Sequence, residues 1–121
     1  MRILFVDDLE DARELFRLAL SMHGHTVQLA SNGREAVSLV QSSEPFDAII
    51  MDVEMPEMNG WDAVRAIRAL PQGDDLPIVM FTAYGSGVTQ KLAEEAGADK
   101  VLHKPLSPHD VLAQVTQLAM S

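Results

Sequence analysis

Cysteine is absent from this chain of 121 residues, which excludes a disulfide framework, a thiol nucleophile and a cysteine-built metal site together. Long apolar runs are missing too: none approaches the roughly 18 residues of a membrane-spanning helix. The opening Met1-Arg2-Ile3-Leu4-Phe5-Val6 is halted by Asp7 and Asp8, far too early for a signal peptide, so a cytoplasmic setting is expected. Positive charge is scarce, with nine Lys and Arg against eighteen Asp and Glu and a net charge of −9. Such a chain is repelled by nucleic acid and by anionic membranes. Its natural counter-ligand is a hard divalent cation such as Mg²⁺, held by clustered carboxylates. Internal repeats, low-complexity tracts and linker-like stretches are lacking as well. What remains, 47% hydrophobic and 22% charged, is an ordinary globular composition, and the length sets one domain over 1–121.

Strand-like and helix-like patterns alternate along the chain. Ile3-Leu4-Phe5-Val6 is a short continuous apolar run, and Ala12, Leu15, Phe16 and Ala19 then recur at the spacing of one helix face. The turn over 22–26 leads into a second strand, Thr26 to Ala30. Ser31-Asn32-Gly33 signals a helix start, with Ala36, Leu39 and Val40 on its inner face. Ala48 to Met51 is the third strand, and Gly60 opens a third helix striped by Trp61, Val64 and Ile67. Pro77 to Phe81 reads as the fourth strand, ending at Thr82; Val88, Leu92 and Ala96 stripe a fourth helix that Gly97 ends. Lys100 to His103 is the fifth strand, and Ser107-Pro108 caps a last helix carrying Val111, Val115 and Leu118. Strands that are apolar throughout, not alternately, are buried on both faces. The expectation is a parallel sheet with helices on each side, a three-layer α/β sandwich.

Asp52 poses a question, because it directly follows the apolar run Ala48-Ile49-Ile50-Met51 and carboxylates are seldom buried unpaired. Ligands of open parallel sheets bind beyond the carboxyl ends of the strands, where the winding reverses. The first strand runs into Asp7-Asp8, the third into Asp52, the fourth into Thr82 and the fifth into Lys104. Adjacent strands lie about 4.8 Å apart, so pairing of the first and third would gather Asp7, Asp8 and Asp52. Any one of these residues alone reads as a cap or turn residue; all of them at one sheet edge read as a site. The remaining polar candidates are weaker. His23 and His25 share a turn, with His103 and His109 remote in sequence, while Arg13, Arg17, Arg65 and Arg68 fall on outward helix faces and read as solvated.

The stretches "ILFVDD", "IIMDVEMPEMNGW", "IVMFTA" and "VLHKP" resemble the receiver domain of two-component response regulators, over the whole chain and in order, at intervals of 44 (8 to 52), 30 (52 to 82) and 22 (82 to 104). That resemblance implies a flavodoxin-like (βα)5 fold with strand order 2-1-3-4-5. It implies that Asp52 is the phospho-acceptor, taking a phosphoryl group from a sensor histidine kinase or phosphotransfer protein. Asp8 and Asp52 would hold Mg²⁺ directly, Asp7 largely through water, and the backbone carbonyl of Glu54 would complete the protein ligands. Lys104 and Thr82 would each reach a phosphoryl oxygen, and the Lys104–Pro105 bond would be cis. A downstream effector would be met through the face of the fourth helix, fifth strand and fifth helix. No catalytic turnover beyond its own phosphorylation and dephosphorylation, no direct nucleic-acid or membrane binding, and a monomer or weak homodimer complete the expectation.

Two features depart from the family's habit or vary within it. Val101 stands where many receivers carry an inward-turning aromatic, and Glu54 and Tyr84 occupy positions that tune phosphate lifetime in the family. The rival reading is a haloacid-dehalogenase-like phosphatase, but Asp52-Val53-Glu54-Met55-Pro56 lacks its threonine, and the chain has no room for a cap domain. A flavin module would want a hydroxyl-rich phosphate loop after the first strand, where Asp7-Asp8-Leu9-Glu10-Asp11 stands instead. The chain reaches only to the end of a fifth helix, and a stand-alone relay protein and an excised piece of a larger regulator or hybrid kinase both remain open.

Overall fold

The computed structural model describes residues 1–42, 44–53, 55, 58–83 and 87–120, with the side chains of all of these but 87–89. The chain alternates strand and helix: β1 (Arg2–Val6), α1 (Glu10–Met22), β2 (Thr26–Ala30), α2 (Gly33–Ser42), β3 (Ala48–Asp52), α3 (Gly60–Arg68), β4 (Ile78–Thr82), α4 (Gly87–Ala96), β5 (Lys100–His103) and α5 (Pro108–Ala119). A 3₁₀ turn, Pro71–Gly73, lies between α3 and β4. All strand pairs are parallel, in the order β2-β1-β3-β4-β5. The winding therefore reverses between β1 and β3.

Residue parity within each strand decides which layer a side chain enters, because successive strand residues point to opposite faces. Leu4, Val6, Ile49, Met51, Ile78 and Met80 pack with Ala36 and Val40 of α2, Ala63, Val64 and Ile67 of α3, and Ala96 of α4. Ile3, Phe5, Ala48, Ile50, Val79 and Phe81 pack with Phe16 and Leu20 of α1 and with Val111, Leu112 and Val115 of α5. Each fully buried aliphatic side chain contributes roughly 1.5–3 kcal/mol to folding. On the α1/α5 side Phe16 is the keystone, stacked on Phe5 at 4.3 Å and edge-on to Phe81 at 5.8 Å.

Local signals set the helix starts. Asn32 accepts a hydrogen bond from the Glu35 amide at 2.8 Å, Asn59 from Asp62 at 3.0 Å and Ser107 from Asp110 at 3.1 Å. Gly97, just past α4, has a φ of 101°, the left-handed conformation at which helices commonly end. The inner face of α1 differs from the expected stripe. Phe16 and Leu20 are its buried residues, while Leu15 is 55% exposed, with Leu18 and Met22 also outward. At 100° per residue, centring the face on Phe16 and Leu20 turns Leu15 roughly 120° away.

Candidate functional site

β1 ends one residue before Asp7, whose amide still donates to the Ala30 carbonyl at 3.1 Å as though the strand continued. The Asp7 carboxylate accepts from the Leu9 amide at 2.9 Å. Asp52 is the last residue of β3, in register with Phe81 of β4. Thr82 is the last residue of β4, in register with His103. Lys104 follows β5, its amide donating to the Thr82 carbonyl at 2.7 Å and its bond to Pro105 cis. The four strand tips thus present every side chain expected there.

Their carboxylates converge. One oxygen from each of Asp7, Asp8 and Asp52 lies within 4.8 Å of the others, with Asp7 and Asp52 buried and Asp8 exposed. Lys104 Nζ stands between the two buried ones, 3.4 Å from Asp7 Oδ2 and 3.5 Å from Asp52 Oδ1. These separations exceed those of short charge-assisted hydrogen bonds, so Lys104 acts here mainly as a shared counter-charge. Its ammonium also lies 5.3 Å from the centre of the Phe81 ring. Thr82 is buried beside them, 1% exposed. The aspartate at the strand tip is tolerated because a lysine faces it and because one side of the cluster is open through Asp8.

Three hard oxygen donors, one of them solvent-facing, fit a small divalent cation that keeps part of its water. Among the described residues no other carboxylate or histidine group converges in this way, so the four histidines form no second metal site. Glu54 and Tyr84 lie outside the described residues. Val101 is half-buried against the layer formed by α2, α3 and α4. A cleft of about 540 Å³, lined by residues including Phe46, Asp47, Pro77 and Asp99, opens at the opposite end of the strands, away from this cluster.

Two arginines are not solvated as expected. Arg13 Nη1 donates to the Asp7 carbonyl at 2.9 Å, and Arg68 reaches several backbone carbonyls behind α3. Arg17 and Arg65 do sit in exposed pairs, with Glu14 and Asp62.

The cluster makes a stability prediction. Asp52 faces one attractive and two repulsive charges; at about 5 Å and an effective dielectric of about 20, each repulsion is roughly 3 kcal/mol before screening. Lys104 between the two buried carboxylates, and the open side at Asp8, reduce the net strain to about 1 kcal/mol. Asp52→Asn should therefore raise the urea midpoint in EDTA with unchanged slope. Mg²⁺ at ten times its dissociation constant should add about 1.4 kcal/mol to the wild type and less to the variant. A lower midpoint for Asp52→Asn in EDTA would show that the carboxylates are not mutually strained.

Comparison with known proteins agrees with this geometry. Residues 3–116 match the response regulator receiver domain family. The response regulator MprA of Mycolicibacterium vanbaalenii is 42% identical over 118 residues, covering 98% of this chain and 50% of that protein. The chain thus spans about half the length of the curated relatives it matches. Among solved structures, chemotaxis protein CheY4 of Vibrio cholerae superposes with a TM-score of 0.92 at 34% identity, covering 97% of each chain. The receiver domain of a Pseudomonas aeruginosa sensor histidine kinase, described with a magnesium ion coordinated in its active-site cleft, gives 0.90 at 28% identity, covering 99% and 98%.

Proposed function

The chain belongs to the response regulator receiver domain family, and from that membership we propose that it is a phospho-acceptor switch in which Asp52 takes a phosphoryl group from a sensor histidine kinase or a phosphotransfer protein. The observation that carries this reading is Lys104 Nζ poised 3.5 Å from the acceptor carboxylate at the edge where Asp7 and Asp8 converge.

An Asp52 oxygen would form the new P–O bond while the donor's P–N bond breaks and its electron pair stays on the imidazole nitrogen. As a carboxylate the nucleophile needs no general base. Phosphoryl transfer asks mainly for position and for charge stabilisation. Lys104, already beside the acceptor, would turn its compact, mobile ammonium to a phosphoryl oxygen. Thr82 would donate its hydroxyl to another, drawing the start of the β4–α4 loop inward. Asp7, Asp8 and Asp52 would hold Mg²⁺, whose charge would offset that of the phosphoryl oxygens.

The donor would meet exposed apolar side chains on the segments that flank the site and on α1. Leu9 follows Asp8, Leu106 lies two residues past Lys104, and Leu15 and Leu18 face outward on α1; all four are exposed. An amphipathic donor helix suits such a surface. The effector would read the α4-β5-α5 face, with Val101 as a small aliphatic in place of an aromatic switch. No helix among the described residues is long and apolar enough to cross a membrane. The proposed setting is the cytoplasm, and the proposed role is signalling, with no turnover of a free substrate.

Intact-mass spectrometry on wild type and Asp52→Asn, each with acetyl phosphate in Mg²⁺ and in EDTA, tests the assignment. One phosphoryl group should appear on the wild type in Mg²⁺ alone. Equal uptake by both proteins would overturn it, and catalytic release of phosphate from an added phosphomonoester would favour the phosphatase reading.

A further inference from the structure

Asp7 is fixed on every side. Its amide donates to Ala30, one carboxylate oxygen accepts from the Leu9 amide, the other faces Lys104, and its carbonyl accepts from Arg13 Nη1 at 2.9 Å. Asp8 is different. It is exposed and is joined directly to Asp7 through the peptide bond. The Asp7 carbonyl belongs to the planar peptide unit that joins Asp7 to Asp8. Whatever holds that oxygen sets the orientation of the plane and the position of the Asp8 Cα, leaving rotation about the Asp8 N–Cα bond to aim the side chain.

No helix cap performs this task. The residue before α1 is Leu9, and no side chain caps the helix there. Arg13, the fourth residue of α1 and half-buried, reaches back six residues instead. We propose that Arg13 is a positioning residue for the cation site: it holds the Asp7–Asp8 peptide so that Asp8 presents its carboxylate beside Asp7 and Asp52. The inference rests on the reading of that cluster as a Mg²⁺ site.

Removal of a group that orients a metal ligand indirectly typically weakens binding about 10- to 100-fold. Isothermal titration of Mg²⁺ into wild type, Arg13→Met, Arg13→Lys and Arg17→Met tests the idea, alongside urea melts of each in EDTA. Arg13→Met should bind about tenfold more weakly, while Arg13→Lys, whose ammonium can still donate to the carbonyl, should recover most of that loss. Arg17→Met, on the same helix but paired with Glu14 at the surface, should bind as wild type does. If Arg13→Met does not fold, Arg13→Gln carries the same comparison. Wild-type affinity in Arg13→Met, even with a lowered EDTA midpoint, reduces Arg13 to a tether of the fold and overturns the proposal. Absence of Mg²⁺ binding by the wild type would overturn the reading of the cluster itself, and this inference with it.

Discussion

Arg68→Ala is expected to cost about 3 kcal/mol of stability, lowering the urea midpoint steeply. Arg68 closes α3, and its guanidinium ties that helix end to the 73–76 stretch just after it and to the distant 97–99 stretch. Nε donates to the Gly97 carbonyl at 2.9 Å, and Nη1 to those of Gly73 at 2.8 Å and Leu76 at 2.6 Å. Nη2 pairs with Asp99 at 2.8 Å, and the same Asp99 oxygen accepts from the Ile78 amide that opens β4. Hydrogen bonds from a charged donor are worth roughly 1.5–3 kcal/mol each when buried. Arg68 is partly exposed, and water can reach some of the vacated carbonyls, so the total falls well below the sum. Arg68→Lys should recover less than half, because an ammonium has no planar fork with which to span these acceptors. A loss below about 1 kcal/mol for Arg68→Ala would show that water replaces the guanidinium without cost.

Gly60→Ala carries a comparable penalty at the other end of the sheet. Glycine to alanine within a helix ordinarily stabilises by about 0.5–1 kcal/mol. At Gly60 the sign should reverse. A Cβ there would lie 2.5 Å from the Asp52 carbonyl oxygen, 2.9 Å from Val53 Cα and 2.8 Å from the Met80 methyl. Met80 could move, but the backbone behind the acceptor could not without shifting Asp52. The Gly60 amide also donates to the Val53 carbonyl at 2.8 Å, tying α3 to the end of β3. Overpacking of this kind costs about 1–3 kcal/mol, and contact with main chain places this case at the upper limit. Thermal melts should show the loss, and phosphate uptake from acetyl phosphate should fall with it. A more stable Gly60→Ala protein would mean that α3 can swing outward freely.

Most of the fold was legible because its signals are local. Apolar runs of four or five residues mark the strands, Asn32 and Ser107 mark helix starts, and the residues of the cluster are readable because each stands at, or within two residues past, the end of its strand. The face of α1 departs from the sequence stripe at Leu15. A sequence stripe gives a helix's apolar side but not the angle at which the sheet receives it, and here Phe16 and its two aromatic neighbours set that angle. Arg13 and Arg68 depart from the sequence expectation for another reason. Their acceptors are main-chain carbonyls, which every residue possesses, so no pattern of side chains announces them. Nor does the sequence separate Asp7 from Asp8, two identical residues of which the fold buries one and exposes the other.

The reach of Lys104 across the sheet has a consequence during synthesis. It lies 97 residues from Asp7 and 52 from Asp52, the two carboxylates it faces. At translation rates of roughly 5–20 residues per second, the acceptor leaves the ribosome about 3–10 s before its counter-charge. Until β5 docks on the edge of β4, a nascent chain holds the carboxylates of β1 and β3 without the cation that offsets them. A stalled or truncated chain lacking β5 would carry Asp7 and Asp52 without the lysine that faces them, so the charge balance of the cluster is complete only once β5 has docked.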